Sequence, residues 1–343
     1  VNEPLQAPGL SATRKPRLGF LGLGWIGMNR MRAIAHSGSA EIAAVADTSA
    51  DVAEGLADAA PNALSLRSLD ELLAHDLDAI VIATPSALHA QQACAALERG
   101  VAVFCQKPLG RDAAETRRVV EAARRADRLL EVDLSYRYTQ AARQIYDLIR
   151  AGDLGEVYAV DLVFHNAYGP DKAWFYDKRL SGGGPLIDLG VHLADLALWM
   201  LDFPEVRAVR SHLFSRGARY RAHAEEVEDW VQAEIELAGG AVVRLTCSWK
   251  AHAGKQCAIE ASFYGTHAAA TLQNVDGSFY DFTAETMIGT ARRTLCAPPD
   301  AWGGRAAVRF AQRLAVDRSF DPGAARYVDT ARLLDRIYAP ENG

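Results

Sequence analysis

Three residues able to bind or move a proton stand at points where the sequence pattern changes. Lys107 follows a short apolar run in Cys105-Gln106-Lys107-Pro108, while Asp188 and His192 lie four residues apart inside Leu186–Leu201, a stretch apolar almost all round. A helix apolar on every side is a buried one, and polar groups within it must be paired or must face a cleft. Asp188, His192, Asp195 and Trp199 fall at i, i+4, i+7 and i+11, one stripe of an α-helix. The carboxylate and the imidazole therefore either bond to each other in a structural network or look into a cleft. Gly182-Gly183-Gly184, just ahead of the helix, favours the cleft, since glycines let a ligand come close to the backbone. A neutral imidazole suits acceptance of a hydroxyl proton near pH 7, and an ammonium suits polarisation of a developing carbonyl. Proton movement at a hydroxyl or carbonyl carbon is the chemistry these residue types offer.

A second pattern calls for a cofactor. The apolar run Arg17–Gly22 leads directly into Gly22-Leu23-Gly24-Trp25-Ile26-Gly27 and then a helical stretch. Glycines so spaced allow a tight turn, close approach of a pyrophosphate to backbone N–H groups and close helix–strand packing, and the helix N-terminus favours phosphate charge. Asp47 ends the next apolar run, where a carboxylate accepts hydrogen bonds from the adenosine ribose. A carboxylate there repels a 2′-phosphate, and neither Lys nor Arg occurs between Arg32 and Arg67, so NAD is favoured over NADP. Ligands of open parallel sheets sit beyond the carboxyl ends of the strands. That brings Thr84, Pro85 and His89, after the fourth run, and Gln106 and Lys107, after the fifth, to the cofactor.

The elements that must position these residues can be read from periodicity. Apolar runs at 17–22, 41–47, 78–83, 101–105 and 129–133 alternate with helical stretches such as 86–99 and 112–127, which predicts a doubly wound parallel sheet of Rossmann type. Beyond Tyr138 the period becomes two. Val231, Ala233, Ile235 and Leu237 alternate with polar residues, a Gly239-Gly240 turn follows, and Val243, Leu245, Cys247 and Trp249 alternate again. This is a hairpin with one buried face. With further strands over 154–165, 206–214 and 256–264, the second half reads as an α+β domain with a large open, mainly antiparallel sheet, closed by a helix over 324–338. The organisation expected is a flexible leader, 1–16; a dinucleotide-binding domain, 17–137; and a substrate-binding and oligomerisation domain, 138–343.

The chain has 343 residues, half of them hydrophobic, and a formal net charge of -6, which gives no electrostatic footprint for nucleic acid. No apolar run approaches the ~18 residues of a membrane span, and the first sixteen residues lack the apolar core of a signal peptide. The five cysteines (Cys94, Cys105, Cys247, Cys257 and Cys296) include no CxxC pair, which suits reduced thiols in a cytoplasmic protein better than disulfides or a metal site.

The motifs GLGWIG, Asp47, TPSALH, QKP, Tyr136-Arg137-Tyr138, Leu154-Gly155-Glu156 and GGGPLIDLGVHLADLALW resemble, in order and spacing, those of the Gfo/Idh/MocA oxidoreductases, a group that includes inositol dehydrogenase and glucose-fructose oxidoreductase. The resemblance implies hydride transfer at a secondary alcohol or ketone of a sugar, sugar derivative or cyclitol. It also implies a catalytic set of lysine, aspartate and histidine, matched by Lys107, Asp188 and His192, and dimers or tetramers formed through the open sheet. A mixed outer face on the 231–249 hairpin suits the same contact. Two positions depart from the family: Gln106 stands where Glu is usual, removing a charge beside Lys107, and Asn29 stands where His is common. His165, Asn166, Tyr168, Lys172, Trp174 and Arg179, between a strand end and the glycine run, are the residues expected to line a sugar pocket. Asp188 would then orient the imidazole of His192, and whether Lys107 or His192 carries the proton is left open. Two rival activities use the same fold: glycoside cleavage through transient sugar oxidation, and non-catalytic sensing of a nucleotide or sugar.

Overall fold

The computed structural model describes residues 14–48, 59–220 and 226–339. Most of the expected leader, residues 1–13, lies outside that range; of the rest, Arg14 is tied down by an ion pair to Asp78 at 2.9 Å. The first sheet is six-stranded and parallel, in the order β3-β2-β1-β4-β5-β6. Its strands are β1 (Arg17–Leu21), β2 (Glu41–Ala46), β3 (Leu64–Leu66), β4 (Ala79–Ile82), β5 (Ala102–Cys105) and β6 (Leu130–Val132). β4 and β5 are buried at every position, as strands covered on both faces must be. Helices α1 (Trp25–Ser37), α2 (Leu69–Leu73), α3 (Ser86–Glu98) and α4 (Ala113–Ala126) belong to this half. The strand order reverses direction between β1 and β4, and a crevice opens at such a switch point. β3 escaped the periodicity because it is a three-residue edge strand with two exposed residues.

After helix α5 (Gln140–Ala151) comes a nine-stranded open sheet, ordered β15-β14-β13-β12-β7-β11-β10-β8-β9. Its strands are β7 (Val157–Asn166), β8 (Val206–Ser215), β9 (Ala218–Arg219), β10 (Trp230–Leu237), β11 (Val242–Ser248), β12 (Cys257–Gly265), β13 (Ala269–Asn274), β14 (Phe282–Ile288) and β15 (Ala291–Cys296). All neighbours are antiparallel except β7 and β11. The β10–β11 hairpin has the register expected from its alternation, with Ile235 opposite Val243 and Ala233 opposite Leu245, all four buried. Gly239 and Gly240 at its tip have φ of 96° and 90°, a backbone region open to glycine. The strands on the far side of β12 carry too few consecutive apolar residues to be read from sequence.

Helices α5 and α7 (Val191–Met200) cover the buried face of the open sheet, while the short α6 (Lys178–Ser181) lies against α3 of the first half. The last two helices do not stay with it. α8 (Arg305–Val316) returns to the first sheet, where Phe310 meets Phe104 with ring centroids 5.3 Å apart and Ala306, Ala307 and Leu314 join the core of Leu18 and Phe20. α9 (Ala325–Tyr338) gives Val328 to the core of the first half and Leu333, Leu334 and Ile337 to that of the second. The two halves thus share α9, and α8 belongs by its packing to the first. A single cut after residue 137 would separate α8 from its core and α9 from half of what it packs on.

The connecting segment Ser135–Tyr138 is fixed by one ion pair. Arg137 donates to both carboxylate oxygens of Asp195 on α7, at 2.7 and 2.5 Å, and the Asp195 side chain is 2% exposed. Asp195, on the polar stripe of the sequence, is therefore a structural residue. Removing one partner of a buried pair leaves the other charge uncompensated. Asp195→Ala is expected to cost ~3–5 kcal/mol of stability, read from urea denaturation; a change near zero would show that the pair does not hold the linker.

Candidate active site

The glycine loop is built from close contacts. Gly22 takes φ 87° at the end of β1, and a Cβ on Gly27 would lie 2.1 Å from the Gly22 carbonyl oxygen, so α1 can pack against the strand end only if both are glycine. Gly24 differs: among the described residues beyond its chain neighbours, a methyl group there would meet only the Lys172 Nζ, at 3.8 Å. No side chain caps α1 and no acidic residue stands in its first turn. The Leu23 N–H donates to Asp47 Oδ2 at 2.6 Å, fixing the carboxylate across the loop. The cleft above this loop has a volume of about 1200 Å³. Gly22, Gly24, Trp25, Ile26, Asp47, Thr84, Pro85, His89, Gln106 and Lys107 all line it, while Gly27 lies beneath. An open cradle over glycine, free helix N–H groups and a carboxylate on the next strand fit a dinucleotide.

Lys107 sits where β5 ends, and its ammonium donates to Asp188 Oδ1 and to the Asp188 carbonyl oxygen, both at 2.8 Å. The indole N–H of Trp249 donates to Asp188 Oδ2 at 3.2 Å. The expectation that Asp188 orients His192 is therefore corrected: its carboxylate serves Lys107 and Trp249. The cause is local geometry. A shared stripe does not choose a partner: one Asp188 carboxylate oxygen is taken by Lys107 and the other by Trp249, in a π-turn, Leu186–Gly190, that runs into the α-helix at Val191. His192 is 7% exposed, its Nδ1 is buried without a partner, and its ring lies 4.7 Å from that of Tyr136. Burial pushes its pKa well below the usual histidine value, and the Lys107 and Arg30 cations push the same way. The imidazole is neutral at pH 7.

The remaining expected residues divide. Both ring nitrogens of His89 lie 2.7 Å from carbonyl oxygens, those of Pro108 and Thr84, so His89 ties the end of β4 to the segment after Lys107. The Gln106 amide donates to Asp133 Oδ2 at 2.5 Å, and Arg30 Nε donates to the same oxygen at 2.5 Å. Trp174 and Lys172 line the cleft with Asp188; His165, Asn166, Tyr168, Arg179 and His192 are not among its lining residues. His165 stacks on Trp230 at 4.7 Å and meets the Ser248 hydroxyl at 2.8 Å, while Arg179 pairs with Asp177. The reason given for the glycine run is also corrected. Gly183 does line the cleft, but a Cβ on it would lie 1.9 Å from the Tyr338 hydroxyl and one on Gly184 2.0 Å from the Glu228 carbonyl oxygen, so the closest approach these glycines permit is that of protein. Glu228, which no motif singled out, is fully buried, and its carboxylate accepts from Gly184 N and Leu186 N at 3.1 Å and from Tyr338 at 2.8 Å. Among the described residues no group of His, Cys, Asp and Glu is arranged to hold a metal, no helix is long and apolar enough to cross a membrane, and all five cysteines are free thiols.

Comparison with known proteins places both halves. Residues 17–134 match the model of an oxidoreductase family with an NAD-binding Rossmann fold, and residues 142–271 match a GFO/IDH/MocA C-terminal domain. D-glucoside 3-dehydrogenase of Escherichia coli K12 is 30% identical over 243 residues, 68% of this chain and 69% of that protein. The structure of GenD2 from gentamicin A biosynthesis, in complex with NAD, is similar with a TM-score of 0.78 and 26% identity, over 98% of this chain and 97% of that one. KijD10, a 3-ketoreductase from Actinomadura kijaniata in complex with NADP and TDP-benzene, has a TM-score of 0.80 at 21% identity, covering 95% and 98% of the two chains. That likeness is one of fold, and the fold accommodates either dinucleotide.

The electrostatics of His192 give a sign that can be measured. Its folded pKa is depressed, so on acidification below about 6.5 the unfolded chain takes up this proton first and stability falls. Removing the neighbouring cation should raise that pKa. In NMR titration the His192 ring is expected to stay neutral through pH 6.5, and Lys107→Gln to shift its titration upward. An ordinary titration that Lys107→Gln does not move would refute the arrangement.

Proposed function

The chain belongs to the Gfo/Idh/MocA oxidoreductase family, and from that premise we propose that it is an NAD-dependent dehydrogenase acting on a secondary alcohol or ketone of a sugar, sugar derivative or cyclitol. The observation that carries this reading is the placing of Lys107, held by Asp188, on the wall of a cleft whose floor is the dinucleotide loop. The dinucleotide, when bound, supplies the hydride acceptor. Lys107 donates a hydrogen bond to the reacting oxygen and stabilises the charge that gathers there in the transition state. Asp188 fixes the direction of that ammonium and balances its charge. His192 is kept neutral by burial and by Lys107 but does not line the cleft, so in this reading the contact with the reacting oxygen falls to Lys107.

Asp47 supports NAD as the cofactor, since its carboxylate stands where a 2′-phosphate would otherwise bind. Arg67 follows Leu66, which pairs with Ala46, so it is one strand away and is the cation that NADP would need. Direct titration is expected to show tighter binding of NADH than of NADPH, and Asp47→Ala to weaken NADH much more than NADPH. A wild-type preference for NADPH would overturn the assignment.

The activity is tested by absorbance at 340 nm with NAD⁺ and a panel of sugars, glycosides and cyclitols. A chromogenic glycoside run in parallel detects cleavage without net NADH. Lys107→Ala is expected to lower turnover ~10²-fold or more, the scale of losing one oxyanion-type donor, with NADH binding retained. Near-normal turnover in that variant would reject the role of Lys107, and NADH binding without reduction of any substrate would favour a sensor.

A further inference from the structure

We infer that Lys172 binds the cofactor: its ammonium, delivered by the second half of the chain, takes the negative charge of the pyrophosphate over Gly24. The inference rests on the dinucleotide reading of the cleft and concerns a residue that the sequence pattern put in the sugar pocket. Among the described residues, and beyond the chain neighbours of Gly24, Lys172 Nζ is the one atom within 4 Å of the position a Gly24 side chain would fill, at 3.8 Å. That is the face of the loop where the free N–H groups of α1 gather, and α1 brings no cation of its own in its first turn, Trp25-Ile26-Gly27. Among the described residues, the lysines and arginines lining the cleft are three: Lys107, Arg67 and Lys172. Lys107 is engaged by Asp188, and Arg67 lies beyond the Asp47 strand at the ribose end. A pyrophosphate carries two negative charges into this cleft, and Lys172 is the remaining lysine or arginine placed to meet them.

The position of Lys172 also joins cofactor and substrate. It lies in the loop between β7 and α6. Trp174 and Phe175 of the same loop line the cleft and stack on each other at 3.8 Å. Phe175 and Tyr176 meet the Trp249 ring edge-on at 6.3 and 5.5 Å, and Trp249 holds Asp188. A dinucleotide gripped by Lys172 secures one end of the loop whose other end supports the partner of Lys107. Cofactor binding through Lys172 therefore bears on the substrate side of the cleft by way of this loop.

The test is binding of NADH to the full chain, followed by fluorescence, with adenosine and ADP-ribose as competitors. Lys172→Ala is expected to weaken NADH and ADP-ribose about tenfold or more, the scale of one charge-assisted hydrogen bond. Adenosine, which has no pyrophosphate, should bind unchanged. Lys172→Arg should restore affinity, and the loss of NADH affinity with added NaCl should be shallower in Lys172→Ala than in wild type. Unchanged NADH affinity in Lys172→Ala would overturn the inference. So would equal weakening of NADH and adenosine, which would mark a collapsed loop. If wild type binds neither NADH nor NADPH, the dinucleotide reading itself fails.

Discussion

The Lys107–Asp188 contact is where the two halves of the chain become one site. Its two side chains, 20% and 19% exposed, come from the end of β5 and from the turn ahead of α7. An ammonium and a carboxylate drawn that far from water are tolerable only as a pair, because either left alone carries an unrepaid desolvation cost. The pairing therefore constrains the relative placement of a parallel sheet and an open antiparallel one with no strand in common. The fold meets that constraint with α8 and α9, which pack on the first half after the chain has finished the second sheet, and with Arg137 anchored on Asp195. The chemistry proposed for Lys107 depends on this cross-linking, since an ammonium free to swing would lose its aim at the reacting oxygen.

The first sheet was legible because strands buried on both faces must be apolar at nearly every position, a demand that Ala-Ile-Val-Ile and Ala-Val-Phe-Cys meet without ambiguity. The hairpin was legible for the complementary reason: one face is solvated, so the residues alternate, and Gly-Gly marks the turn. Legibility failed where burial was partial. β3 shows no apolar run, and β15 exposes Ala291 through Thr294, so neither periodicity appears. The return of α8 to the first sheet could not be read at all, because an amphipathic helix reveals that it has a partner but not which one.

The misreading of Asp188 has a narrower cause. Helical spacing tells which side chains share a face but not which partner each takes, and Asp188 gives one carboxylate oxygen to Lys107 and the other to Trp249, both outside its own helix. The glycines show the same limit from another side. Gly24 and Gly184 look alike in sequence, yet one leaves space over a helix N-terminus and the other admits the backbone of Glu228. Residue type establishes that something comes close; only the packing tells whether it is a ligand or the chain itself.

Gln106 shows how a residue's neighbours decide what its charge would do. Read alone, replacement of the usual Glu removes a negative charge beside Lys107. In the fold a carboxylate stands directly behind it: Asp133, with Gln106 and Arg30 both donating to its Oδ2. The Asp133 side chain is fully buried and its Oδ1 has no partner, so it has no room for a second anion. A glutamate at 106 would bring two carboxylates together with Arg30 alone between them, and like charges so placed cannot both stay ionised at low cost. The amide is the group that satisfies Asp133 as a donor. Gln106 therefore suits Asp133 as a donor where a second carboxylate would repel it, and Asp188 is the carboxylate that Lys107 contacts.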